Sequence, residues 1–194
     1  MEVWSHEDMT FFNVLLLAAS FTGYVAAAGA TPLAVDYQQS KIDVAVSATI
    51  DSFTGHLDKY AATIDSDGTT NLPDKAEVSF NFSDLKTGKP DRDAEMLKWL
   101  EYAANPKATF VLNSWKQSGS INLAVGELTI HGVKKSIAMP VVASNAGDTW
   151  DISGEADFDY RDFNLPKIRK MLVLVVDPHL KVTFHLVGKV PAAK

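Results

Sequence analysis

Beyond residue 40, most of the chain alternates between apolar and polar residues with a period of two. The clearest run spans residues 150–160. Its even positions are apolar or small: Trp150, Ile152, Gly154, Ala156, Phe158 and Tyr160. Its odd positions are polar: Asp151, Ser153, Glu155, Asp157 and Asp159. Because successive side chains of a strand point to opposite faces, this run predicts a strand with one dry face and one wet face.

Similar runs recur along the chain, near residues 41–51, 77–82, 121–125, 137–141 and 180–186, with glycine or proline in the gaps between them. We therefore expect about eight strands in one all-β domain spanning residues 36–190. Alternation on one face favours antiparallel pairing over parallel units buried on both faces. Closing such a sheet into an antiparallel barrel removes its exposed edges.

One segment departs from this pattern. In Asp91–Ala104, Met96, Leu100 and Ala103 recur at helical spacing, and the acids at its start suit a helix N-terminus. We predict one short helix here, ending at Asn105-Pro106. The pattern leaves open whether this helix covers a barrel mouth or packs on the barrel flank.

The N-terminal residues are typical of a secretory signal peptide. An apolar stretch from Phe11 to Ala19 precedes small residues, which offer cleavage before Gly29 or Thr31. We predict a signal peptide over residues 1–28, with Met9 as a candidate start because residues 1–10 contain acids and no Lys or Arg. The alternative is a membrane anchor over residues 11–30, but polar residues interrupt it and no basic flank follows. The processed protein is therefore predicted to be periplasmic or secreted, without stable membrane insertion.

Composition narrows the function further. The chain carries 18 basic and 24 acidic residues, which disfavours nucleic acid as a partner because DNA binding needs basic residues against phosphates. It contains no cysteine, so thiol catalysis and cysteine-based metal sites are excluded. The histidines lack the spacing of a metal motif, and the acids of residues 151–159 alternate as a solvent face rather than form a catalytic pair. We predict no catalytic residues, no metal site and no enzymatic activity.

The dry face is the remaining candidate for function. A barrel of this size is either filled by its own side chains or holds one small ligand, and periodicity does not decide between these alternatives. The residues predicted to line the interior are Phe80, Phe82, Phe110, Leu112, Trp150, Ile152 and Phe158.

Four stretches give the mature chain a resemblance to a known family. They are Ser40–Gly55, the segment from Arg92-Asp93 to Phe110, Gly126–Lys135 and Gly154–Phe163, of which Gly126–Lys135 is the most specific. Together they resemble the YceI-like family of lipocalin-like proteins. The resemblance implies an extended eight-stranded lipocalin-like barrel with a long apolar pore, and a periplasmic or secreted protein that binds polyisoprenoids or related amphiphiles. Glu95 stands where many members carry histidine. The resemblance therefore does not indicate which particular lipid is bound.

The leading hypothesis is thus an exported protein that holds a polyisoprenoid or similar lipid. A bound quinone-like lipid and a homodimer are both compatible with this hypothesis, and no other cofactor is expected. Arg92, Lys98 and the basic tract 167–170 are candidates for contact with a head group at the mouth. The alternative is a secreted stress-response or interaction protein with a filled barrel. An enzyme using scattered carboxylates ranks third.

Overall fold

The computed structural model describes residues 30–49, 51–170 and 174–191. The signal peptide, its cleavage sites and the choice of start predicted for residues 1–28 lie outside these residues. The strands are β1 (Thr31–Pro32), β2 (Ala34–Val35), β3 (Lys41–Ala48), β4 (Phe53–Leu57), β5 (Ala61–Ser66), β6 (Lys75–Asn81), β7 (Leu85–Lys86), β8 (Lys107–Ser118), β9 (Ile121–Ile130), β10 (Val133–Ala146), β11 (Thr149–Asp159), β12 (Arg169–Lys170) and β13 (Leu174–Lys189). One α-helix, α1 (Pro90–Trp99), lies between β7 and β8.

All pairings within the described sheet are antiparallel, and the hydrogen-bonded order is β1-β5-β6-β8-β9-β10-β11-β13-β3-β4-β7. This confirms the predicted all-β, antiparallel, lipocalin-like barrel with one short helix. The strand count differs from the expected eight, because the described sheet has 13 strands, four of them only two residues long. Period-2 patterns shorter than about five residues give little signal, which is why such short pieces were not predicted.

The sheet closes into a barrel at both ends. At one end, the N-terminal segment 31–35 pairs with β5 through β1 and with β13 through β2, so it bridges two strands that are otherwise far apart in the sheet. We call this the far end. At the other end, β13 pairs with β3, β3 with β4 and β4 with β7, which follows β6 through the 3-10 turn Phe82–Asp84. We call this the mouth, since α1 lies there. Segment 31–35 precedes the predicted start of the domain at residue 36.

Two-residue turns connect β8 to β9, β9 to β10 and β10 to β11. The turn between β9 and β10 consists of His131 and Gly132, with φ values of 50° and 72°. Positive φ at both central residues is the geometry of a type I′ turn, whose twist matches that of the paired strands. The stretch Gly126–Lys135 is therefore a β-hairpin. Its tip lies near the mouth, because Nε2 of His131 is 3.4 Å from a carboxylate oxygen of Glu101, just after α1.

Helix α1 is shorter than the predicted 91–104, and that predicted end is wrong. The helix begins at Pro90 and ends at Trp99 because Glu101 adopts a left-handed conformation with φ 49°. The N–H of Tyr102 then donates to the carbonyl of Leu97, and the N–H of Glu101 donates to that of Lys98. These two bonds form a Schellman cap, which satisfies the final carbonyls of a helix and stops it.

The buried residues form two clusters along the barrel. One includes Leu33, Ile64 and Trp150 and extends from the far end toward the middle. The other includes Phe82, Leu100 and Tyr160 and lies toward the mouth. Within the described residues, no helix is long and apolar enough to cross a membrane.

Candidate functional site

The interior of the barrel contains a cavity of about 930 Å³. Its wall is built from inward-facing positions of β3, β6, β8, β9, β10, β11 and β13 and is overwhelmingly apolar. The alternation seen in the sequence explains this, because every second residue of each strand turns its side chain to the interior. A volume of this size is typical of a ligand pocket, which commonly encloses roughly 300–1,000 Å³.

Small residues keep this interior open. Alanines face the cavity on five different strands, namely Ala48, Ala76, Ala108, Ala124 and Ala156. Ala108 and Ala124 are buried, with exposed fractions of 2% and 3%. Larger side chains at these inward positions would fill the interior of a narrow barrel, so the alanines leave the space that a ligand needs.

Glycines on neighbouring strands make room for two of the lining rings. A Cβ on Gly126 would lie 2.4 Å from the ring of Phe110, and one on Gly154 would lie 2.6 Å from the ring of Phe184. Both rings therefore rest directly on the backbone of an adjacent strand. This packing holds each ring against the barrel wall instead of letting it project across the cavity.

Six of the seven residues predicted to line the interior do line the cavity: Phe80, Phe82, Phe110, Leu112, Ile152 and Phe158. Trp150 does not, and its prediction is corrected. It shares the inner face of β11 with Ile152 and Phe158, but its side chain is 1% exposed and packed in the far-end core. Alternation identifies the face of a strand on which a residue lies, but not its depth along the barrel axis.

Several lining residues escaped the sequence analysis, among them Phe53, Trp99, Trp115, Met139 and Phe184. Met139 and Phe184 lie on the dry faces of the predicted strands at residues 137–141 and 180–186, but they were not among the residues predicted to line the interior. Trp115 follows a register irregularity between Leu112 and Ser114, which shifts the inward face of β8 by one residue. A bulge of this kind breaks a strict period-2 count.

Charged lining residues within the described part of the chain are confined to the mouth. Asp91, Arg92, Glu95 and Lys98 come from α1, Glu101 comes from its capping turn, and Asp51 precedes β4. Helix α1 therefore borders the opening of the cavity. This position fits a helix that covers the barrel mouth better than one that packs on the barrel flank. The remainder of the described wall offers a long ligand mainly apolar contacts.

Of the predicted head-group residues, Arg92 and Lys98 both lie at the mouth. Nη2 of Arg92 donates to Oδ2 of Asp51 at 3.0 Å, and its guanidinium sits 3.8 Å from the ring centroid of Phe53. Nζ of Lys89 reaches the same Asp51 oxygen at 3.1 Å. Hydrogen bonding and charge from Lys89, with a further contribution from Arg92, lower the pKa of Asp51. Lys167, from the predicted basic tract, is exposed and is not among the lining residues.

The other side of α1 is fastened to the segment after β11. Nε1 of Trp99 donates to the carbonyl of Pro166 at 2.9 Å, and the Trp99 ring meets Tyr160 edge-on at 5.1 Å. The hydroxyl of Tyr160 accepts from the N–H of Ile168 at 3.2 Å. Trp99, Tyr160, Pro166 and Ile168 all line the cavity, so this network forms one rim of the mouth.

The outer face of the barrel carries the charges that sequence analysis assigned to solvent. His179 lies 3.2 Å from Asp157, Lys181 3.4 Å from Glu155, and His185 2.8 Å from Asp151. These pairs join β11 and β13 diagonally across the outside of the sheet, where exposed ion pairs contribute little stability. No group of three or more potential metal ligands occurs among the described residues.

Comparison with known proteins agrees with this architecture. Residues 33–188 match the family model of the YceI-like domain. The chain belongs to the YceI-like family. Protein YceI from Escherichia coli O157:H7 is 28% identical over 168 residues, covering 77% of this chain and 86% of that protein.

Two solved structures share the YceI-like fold. Burkholderia cenocepacia BcnA superposes with a TM-score of 0.68 at 21% identity, covering 79% of this chain and 98% of BcnA. A polyisoprenoid binding domain from Saccharophagus degradans, implicated in plant cell wall breakdown, superposes with a TM-score of 0.66 at 17% identity, covering 84% of this chain and 100% of that domain. At these identities the likeness concerns the fold.

Proposed function

We propose that this YceI-like protein is exported and holds one long apolar lipid, of the polyisoprenoid type, inside its barrel. The observation that carries the proposal is the cavity of about 930 Å³, whose walls along the barrel are mainly apolar and whose charged lining residues, in the described part of the chain, lie at the mouth. Such a polarity gradient matches an amphiphile whose tail lies inside and whose head group lies beside α1. The polyisoprenoid-binding domain with the same fold supports this choice of lipid.

The energetics favour a long tail. Each Å² of apolar surface removed from water contributes roughly 25 cal/mol, so affinity grows with the length of tail that the cavity encloses. The lumen contains few hydrogen-bonding groups that would specify one tail over another, and we expect selection by length and shape. The preformed cavity weighs against a barrel filled by its own side chains. We propose a binding protein rather than an enzyme, periplasmic or secreted after removal of residues 1–28. A homodimer stays a prediction.

Native mass spectrometry of protein purified from the exported fraction, followed by organic extraction, tests this function. We expect a bound species that extracts as an isoprenoid lipid, or uptake of polyprenols and quinones when these are offered. Protein that stays free of lipid in both cases would contradict the proposal and would favour an interaction protein.

A matched pair of variants tests whether the lipid occupies the cavity. Ala124→Phe places a ring in the cavity, whereas Ala138→Phe places the same ring on the exposed outer face of β10. We expect Ala124→Phe to weaken polyprenol binding by about tenfold or more, equivalent to about 1.4 kcal/mol, and Ala138→Phe to leave it unchanged. Displacement of a fluorescent apolar dye measures both affinities, and circular dichroism checks that both variants fold. Equal affinity of the two variants would place the lipid elsewhere.

A further inference from the structure

The mouth of the cavity has an excess of carboxylates over cations. Among the described lining residues, four are acidic, namely Asp51, Asp91, Glu95 and Glu101, and two are basic, namely Arg92 and Lys98. Lys89 lies beside this lining and pairs with Asp51, so a head group resting at the mouth would meet four carboxylates and three cations, a small net negative charge. Because the apolar tail fixes where the head group lies, this charge bears directly on which lipids fit.

Arg92 is the residue that a phosphate would be expected to use, since a guanidinium binds phosphate through paired hydrogen bonds. Its position makes it a poor receptor for a new anion. Its side chain is 19% exposed, its Nη2 donates to Asp51 at 3.0 Å, and its planar group lies over the Phe53 ring at 3.8 Å. Arg92 thus already donates to a carboxylate, and its guanidinium is held against an aromatic ring.

Asp51 binds both neighbouring cations. Its Oδ2 accepts a hydrogen bond from Nζ of Lys89 at 3.1 Å and another from Nη2 of Arg92 at 3.0 Å. One carboxylate thus pairs with two cations that would otherwise be available to an anionic head group. We propose that Asp51 is a specificity-determining residue that makes the mouth reject lipids with phosphorylated head groups in favour of uncharged or cationic ones. This inference rests on the proposed lipid-binding function.

The test uses three lipids with one tail: geranylgeraniol, geranylgeranyl phosphate and geranylgeranyl amine. Dye displacement with the unmodified protein gives the three affinities. We expect the phosphate to bind at least about tenfold more weakly than the alcohol at low salt, and the amine to bind at least as well as the alcohol. Raising the salt concentration should narrow the differences, because exposed charges are screened. A phosphate that binds as tightly as the alcohol would overturn the inference.

Two variants with the same change in net charge distinguish a local effect of charge at the mouth from an effect of the protein's overall charge. Asp51→Asn removes the carboxylate that occupies Lys89 and Arg92, whereas Asp157→Asn removes an outer-face carboxylate that pairs with His179. We expect Asp51→Asn to tighten phosphate binding by about tenfold with little change for the alcohol, and Asp157→Asn to change neither.

Asp51 is more than half exposed, so Asp51→Asn is expected to fold like the parent. Unchanged phosphate affinity in Asp51→Asn, with alcohol binding intact, would refute the role of Asp51 while leaving the lipid-binding function standing. Failure of all three lipids to bind the unmodified protein would instead contradict the proposed function itself.

Discussion

The two ends of the barrel are built differently. At the far end, Leu33 and Trp150 are 6% and 1% exposed, and the N–H of Val187 donates to the buried Ser40 hydroxyl at 2.8 Å. The mouth also has a buried cluster, which includes Phe82, Leu100 and Tyr160, but helix α1 itself has no fully buried residue and presents charged side chains. We therefore expect the packed far end to contribute mainly to stability, and helix α1 at the mouth to control access to the cavity.

The largest effect is expected at the far end. Trp150→Ala removes a fully buried ring and leaves a void, which typically costs about 3–5 kcal/mol of unfolding free energy. Urea denaturation measures this loss. Because Trp150 does not line the cavity, the relative affinities for different lipids should be retained wherever the variant is folded. A loss below about 1.5 kcal/mol would show that the far end is not the tightly packed region described above.

A smaller effect is expected at the rim of the mouth. Trp99→Phe retains an aromatic ring but deletes the 2.9 Å hydrogen bond to the Pro166 carbonyl, which should cost about 1 kcal/mol. It should also speed the release of bound lipid, measured by stopped-flow exchange against a fluorescent dye. Tyr102→Phe is the matched control, since it deletes a 3.1 Å bond to Ser83 away from the cavity lining. If both variants release lipid at the parent rate, α1 does not control access.

The smallest effect is a pH dependence at the mouth end of β11. The guanidinium of Arg161 donates to both carboxylate oxygens of Asp159 and holds the pKa of Asp159 at about 2. Since this pKa lies below the unfolded value of about 4, the ion pair adds stability above pH 4, and that stability is lost as the pH falls toward 2. Because Arg161 is half exposed, solvent screens this ion pair, and the gain in stability should be small.

Asp159→Asn isolates this charge, because asparagine retains the oxygen that caps the following 3-10 turn. Urea midpoints should be lower for Asp159→Asn than for the parent near pH 6, and the two should converge at strongly acidic pH. Asp157→Asn on the outer face should change stability by less than about 0.5 kcal/mol. A constant gap between Asp159→Asn and the parent at every pH would exclude the ion pair as its cause.

Much of the barrel could be predicted from local pattern. Alternation placed Phe80, Phe110 and Phe158 on the inner face because a strand's period of two is fixed by its backbone. Position along the barrel axis depends on the register between strands, which explains why Trp150 was assigned to the cavity wall. The end of α1 at Trp99 was not predicted, because it depends on the left-handed conformation of Glu101. This conformation is uncommon for a residue other than glycine.

The mouth was less predictable than the wall. Arg92 was recognised as a charge near a lipid head group, but its partner Asp51 lies 41 residues away in the sequence. No local rule links Asp51, which precedes β4, to Arg92, the third residue of α1. The pairing of these two side chains therefore emerges only from the tertiary structure. Likewise, a hollow barrel and a filled barrel share one alternation pattern, and they differ only in whether the inward side chains meet across the lumen.

A crystal structure of the protein saturated with geranylgeraniol tests the central claim most directly. The account predicts tail density inside the barrel, between the alanine-lined strands and the rings of Phe110 and Phe184, with the hydroxyl beside α1. Lipid density confined to the outer surface, or an empty lumen at saturating lipid, would contradict it.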